Sequence, residues 1–222
     1  VKNPLLYTTL AGYVGTLNTL GVMSNIQHSL FDASIAITNG TAESALNDDG
    51  NFETVFRIKP TYLLLSDTSF SYIYSDDRGN SDSFDTVFSG WMLDLDKALT
   101  DNLDLKLFYA ELNYDDSDAA TEDIVTSYLI ELAYKLDMYS LAFRYESYQR
   151  QDQSDVNADI PNVFLSTSAL ADGSVFQRVD VFSVGYTRYL SDQLLLKTEG
   201  FVEIGDDNQK ATGAVSYITV LF

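Results

Sequence analysis

Catalysis needs nucleophiles, bases or metal ligands, and this 222-residue chain is poor in most of them. It has no cysteine and a single histidine, His28. Thiolate catalysis, disulfides, iron–sulfur clusters and cysteine zinc sites are therefore excluded, and one chain cannot build a multi-histidine metal site. A serine–histidine enzyme would have to use His28. Ser34 shares its strand parity but lies about 20 Å away at about 3.3 Å per residue, so only a serine from another strand could reach it. The acidic groups Asp76, Asp77 and Asp82, and Asp115, Asp116 and Asp118, offer the oxygens that Ca²⁺ prefers. Neither follows the fixed ligand spacing and terminal Glu of a calcium loop, and no Gly-rich phosphate loop is present. No enzyme activity, metal site or bound cofactor is expected. What remains is a set of charges of both signs, placed alternately among apolar neighbours: Glu53, Arg57, Lys59, Glu131, Lys135, Arg144, Glu146, Lys197, Glu199 and Glu203.

Such residues act together only if regular elements hold them on one face, and the periodicity says which elements. Ile124, Thr126, Tyr128, Ile130, Leu132, Tyr134 and Leu136 share one parity, while Val125, Ser127, Leu129, Glu131, Ala133 and Lys135 share the other. A period of two is that of a strand. Tyr139, Leu141, Phe143 and Tyr145 repeat it after only Leu136-Asp137-Met138, which predicts a hairpin. The same reading predicts strands near 28–39, 51–64, 68–75, 84–96, 103–114, 123–136, 138–150, 176–190, 194–205 and 211–222. An N-terminal segment, 1–27, is set apart as an extra strand or a plug, because Leu5 to Val14 could form a strand whereas Gly15 to Asn25 lacks clean alternation.

The connections fall into two alternating kinds. Tight turns are expected at Ser66-Asp67, Ala98 to Asn102, Asp137 and Ser191 to Gln193, and longer polar loops at 40–50, 76–83, 115–122, 151–175 and 206–210. Consecutive antiparallel strands exchange ends, so strict alternation gathers all tight turns at one rim and all long loops at the other. The long-loop rim carries −16 of the formal net charge of −20. That balance, 33 acidic against 13 basic side chains, repels phosphate backbones and excludes nucleic acid as a partner. No apolar run is long enough for a helical membrane span, and no charged n-region with an apolar h-region opens the chain. An export signal has been removed, the chain is not exported, or it is a fragment.

The direction of the apolar parity separates two architectures. In a soluble sandwich it points into a core; in a transmembrane barrel it meets lipid and the polar parity lines a lumen. A tilted membrane strand needs about 9–11 residues, against a mode of about 5–6 in soluble sheets, and most of the predicted strands are long. Tyr72, Tyr74, Tyr114, Tyr145, Tyr148 and Tyr186 fall near strand ends, where amphipathic rings sit at a membrane–water boundary.

The chain ends Ser216-Tyr217-Ile218-Thr219-Val220-Leu221-Phe222, with Ile218, Val220 and Phe222 on one face. This segment resembles the final strand of Gram-negative outer-membrane β-barrels, and the alternating turns and loops are similar to those of porins. The resemblance implies an all-β, transmembrane, antiparallel up-and-down β-barrel of 10–12 strands spanning 28–222, or the C-terminal part of a larger porin, located in the cell outer membrane. It implies an assembly signal at Ile218, Val220 and Phe222, read by the outer-membrane assembly machinery. It also implies a porin that passes small hydrophilic solutes or ions through a lumen lined by the ten charged residues above. Outer-membrane lipid is the expected surrounding, with a homotrimer or another membrane partner as candidate assemblies. The loop carrying Asp152, Asp155 and Asp159 is a candidate constriction. The alternatives are a structural or adhesive barrel with a blocked lumen and a soluble all-β binding protein.

Overall fold

A computed structural model describes residues 21–38, 53–62, 67–76, 86–116, 121–150, 178–191, 194–205 and 210–220. The described residues are all-β, with eleven strands: β1 (Gly21–Gln27), β2 (Phe31–Thr38), β3 (Glu53–Pro60), β4 (Thr68–Asp76), β5 (Thr86–Thr100), β6 (Leu103–Asp116), β7 (Thr121–Lys135), β8 (Tyr139–Arg150), β9 (Arg178–Ser191), β10 (Leu194–Gly205) and β11 (Lys210–Val220). They form one antiparallel sheet in sequence order, the up-and-down meander that short hairpins produce. All ten predicted strands are present. The eleventh, β1, comes from the segment set apart as 1–27, and its seven residues pair with β2 from Gly21↔Thr38 to Gln27↔Asp32. Among the described residues β1 and β11 are the two edges and do not pair with each other, so the sheet is not closed.

The expected loops lie largely outside the described residues. The connections from β1 to β2, β3 to β4, β5 to β6, β7 to β8 and β9 to β10 all fall at the opposite end of the sheet, and the one between β3 and β4 spans 61–67, longer than the tight turn expected at Ser66-Asp67. At that end each hairpin is tied to its neighbour through the backbone. The Leu30 carbonyl accepts from Thr61 N–H at 3.0 Å, Asp67 from Asp96 at 3.0 Å, Asn102 from Lys135 at 2.7 Å and Met138 from Tyr189 at 2.9 Å. Turn carbonyls that would be orphaned are thus satisfied by the next strand. His28, expected within a strand, instead flanks the two-residue turn Ser29-Leu30. His28 and Phe31 exchange backbone hydrogen bonds of 2.9 and 3.3 Å, the imidazole Nδ1 accepts from Leu30 N–H at 3.3 Å, and its ring lies 5.2 Å from that of Phe31. That is a turn-stabilising role.

The register decides which way each residue faces. Residues directly opposite in an antiparallel ladder share a face, so the pairing can be followed across the whole sheet. Leu93, Leu107, Ile130, Leu132, Phe143, Phe182 and Val184 fall on one face and are exposed. Glu131 and Arg144 fall on the other and are buried, 5% and 3% exposed against 46% for Ile130 and 57% for Phe143. The wall is apolar outside and charged inside, the inverse of a soluble sandwich.

Candidate functional site

The inner face is built from alternate residues of long strands, and the register brings all ten charged residues predicted from parity onto it. Arg57 and Lys59 of β3 stand opposite Ser34 and Asp32 of β2, and Glu53 opposite Thr38. Glu131 pairs across to Arg144 and Lys135 to Ser140, Glu146 to Val181, and Lys197, Glu199 and Glu203 to Thr187, Gly185 and Val181. Following the ladder β3–β4–β5–β6–β7–β8–β9–β10 connects them as one surface.

Several of the ten meet. Arg144, at mid-strand on β8, is the focus: its Nε lies 2.6 Å from Glu146 Oε1, its Nη2 3.2 Å from Glu199 Oε1 and its Nη1 3.9 Å from Glu131 Oε2. Glu199 belongs to β10, two strands away. The intervening position on β9, opposite both Ala142 and Glu199, is Gly185, which carries no side chain. Ala133 and Ala142, buried beside it, continue this shallow stretch of wall. Arginine suits the task, since its planar fork can address several carboxylates together. Arg57 lies apart on β3 and donates to Ser69 Oγ at 3.0 Å.

Parity applied to the strand predicted at 103–114, and to its neighbours, would also have found inner-face residues absent from the ten. Lys106 stands opposite both Asp96 and Glu131 and lies 3.6 Å from Asp96. Asp104 forms an ion pair with Lys135. Asp96, Asp104 and Lys135 line an open cavity of about 590 Å³ at the tight-turn end, beside Thr100 and Asp101. Asp94 and Asp32 face the same way. Phe201 is inward too, and its ring lies over Gly213 of β11, where a Cβ would come within 2.3 Å of it.

The outer face explains how the wall sits. Its central positions carry no charge; Lys97 and Arg188 lie toward the tight-turn end, and Glu111, Asp180, Arg178 and Lys210 toward the loop end. Aromatic rings stack near both ends. Toward the loops, Trp91 packs 4.8 Å from Tyr109 and Tyr145 4.9 Å from Phe182; toward the turns, Tyr139 lies 6.2 Å from Tyr186. The outward acids are held by aromatic donors. Glu111 accepts from Trp91 Nε1 at 3.4 Å and from Tyr109 OH at 3.0 Å, and Asp180 accepts from Tyr145 OH at 2.9 Å. Tyr72, Tyr74, Tyr145 and Tyr186 are outward, as interface residues require. Tyr148 is not: it pairs with Ser127 and Val179 on the inner face and is buried, because its strand position has the parity of Glu146.

Ile218 and Val220 of the expected assembly signal are outward and exposed on β11, opposite Leu196 and Leu194; Phe222 lies outside the described residues. So do Asp152, Asp155 and Asp159 of the expected constriction, and Asp77, Asp82 and Asp118 of the acidic clusters. Among the described residues no three His, Cys, Asp or Glu side chains are grouped to hold a metal ion, and no helix is long and apolar enough to cross a membrane.

No protein-family model and no curated protein matches the sequence. Solved structures do match it in fold. The outer membrane channel DcaP of Acinetobacter baumannii is similar over 90% of this chain and 61% of its own, at 12% identity and a TM-score of 0.58. A structure described as a porin is similar over 89% of this chain and 61% of its own, at 11% identity and a TM-score of 0.57. OmpT of Vibrio cholerae, an outer membrane protein with loop L8 deleted, is similar over 90% and 62%, at 8% identity and a TM-score of 0.57. At these identities the shared property is the fold, that of outer-membrane β-barrels, and it supports an outer-membrane location. The chain spans about three fifths of the length of each of these proteins.

Proposed function

We propose that this chain forms the wall of an outer-membrane porin, through which small hydrophilic solutes and ions diffuse passively. The observation that carries the reading is the inversion of the sheet: charges of both signs buried on the inner face, and an uncharged apolar band exposed on the outer one. An apolar outer band satisfies lipid, and fixed charges facing an enclosed aqueous space focus a field that orients polar solutes and sets ion preference. The proteins sharing the fold are described as a channel, a porin and an outer membrane protein. The ten inner-face charges are the proposed lining, Arg144 with its three glutamates the most constrained part of it. Ile218, Val220 and Phe222 are proposed to present the terminal strand to the assembly machinery.

A second reading, a barrel whose lumen is blocked, is favoured by one observation: the side chains of Arg144 and Glu199 are fully enclosed. Planar-bilayer recording of the purified full-length protein separates the two. Stepwise conductance is expected. A folded barrel, shown by its β circular dichroism in lipid, that stays electrically silent would defeat the porin reading.

A further inference from the structure

Resting on that reading, we infer that the passage prefers small monovalent cations over anions, and that Glu131 in the inner wall contributes directly to the preference. Three observations converge. Among the residues whose side chains the structure describes, the register turns nine carboxylates and six cationic side chains inward, so the inner face has a negative excess apart from any loop. The excess is local as well as global, since Arg144 is one guanidinium set among Glu131, Glu146 and Glu199.

The third observation concerns single oxygen atoms. Glu131 Oε2 is buried and makes no hydrogen bond among the described residues; Arg144 Nη1 lies 3.9 Å away, and Lys106 stands opposite Glu131 on β6. Ser183 stands directly across from Arg144 on β9, and its Oγ is also buried without a hydrogen bond. Glu131, Arg144 and Ser183 thus form one cross-strand row in which two oxygen acceptors flank the guanidinium. A desolvated acceptor left without a donor is unfavourable. The Glu131 charge, only loosely paired, acts on passing cations through the field it adds to the passage; anions find the guanidinium already occupied by carboxylates. The loop rim, with −16 of the formal charge, raises the cation concentration at the mouth in the same sense.

The test is the reversal potential of the full-length protein in planar bilayers under a tenfold KCl gradient. The expected result is a K⁺ preference that shrinks as total salt rises, because screening shortens to about 3 Å at 1 M. Glu131→Gln keeps the shape and leaves Arg144 held by Glu146 and Glu199, and should lower the K⁺/Cl⁻ permeability ratio roughly twofold; Glu111→Gln, on the outer face, should not change it. A conducting channel with no preference, or with Cl⁻ preferred, overturns the inference and leaves the porin reading standing. A folded barrel without conductance overturns the porin reading and this inference with it. A cation-selective channel whose ratio is the same with Glu131→Gln removes Glu131 from the assignment. The wild-type measurement decides the preference even if the variant does not fold.

Discussion

Strands β7 to β10 and the edge strands β1 and β11 are written in the same period of two, yet their side chains meet different surroundings. In most of β7 to β10 burial alternates, with Glu131, Ala133, Ala142, Arg144, Val181 and Ser183 buried and Ile130, Leu132, Phe143 and Val184 exposed. In β1 every side chain from Val22 to Gln27 is exposed, and in β11 both faces are largely so. Alternation assigns a face to each residue, but burial of the inner face needs a neighbouring strand on both sides. The consequence for a membrane is stricter. An edge facing hydrocarbon leaves N–H and C=O groups unpaired at several kcal/mol each, so in lipid both edges require strand partners beyond those described, whereas the central wall already has its own.

The contrast can be broken at several points, the largest effect first. Arg144→Ala strands three carboxylates in the enclosed centre of the wall and should destabilise the folded barrel by about 3–5 kcal/mol, read by urea titration of folding in lipid vesicles; a loss below about 1 kcal/mol would show that the inner face is open to water there. Phe143→Arg puts a charge into the outward band next door. The expected cost is about 2–4 kcal/mol near the bilayer midplane, against about 0–1 kcal/mol for Gln149→Arg at the loop end of the same strand. Equal costs would mean that this face does not meet lipid. The finest comparison uses two glycines. A Cβ on Gly90 would lie 2.4 Å from the Glu111 carbonyl oxygen, whereas one on Gly200 meets nothing closer than 3.9 Å. Gly90→Ala should therefore cost about 1–3 kcal/mol through overpacking, and Gly200→Ala should stay within about 0.5 kcal/mol.

Much of this was legible in the residues alone, for a local reason. Side-chain direction in a strand repeats every two positions whatever the partner, so Ile130, Glu131, Leu132 and Phe143, Arg144, Tyr145 disclose their faces without any knowledge of the fold. The same rule placed Glu53 on β3 and Glu203 on β10 on one surface, and the alternation of turns and loops gave that surface two unlike rims. Where the pattern is weak the rule is silent. Gly21-Val22-Met23-Ser24-Asn25 mixes apolar and polar residues on both parities, and β1 became visible only through its pairing with β2. The rule misleads where a strand ends unexpectedly, as at His28, or where an aromatic has the inner parity, as at Tyr148.

Strand type, facing and the charge of each rim were thus properties of the sequence itself, because period and composition are local. Which charges meet belonged to the tertiary structure. Arg144 and Glu199 are separated by 55 positions in the chain and by a whole strand in the sheet, and only the register of β8, β9 and β10 brings them together. Register is a relation between strands, and no single strand carries it.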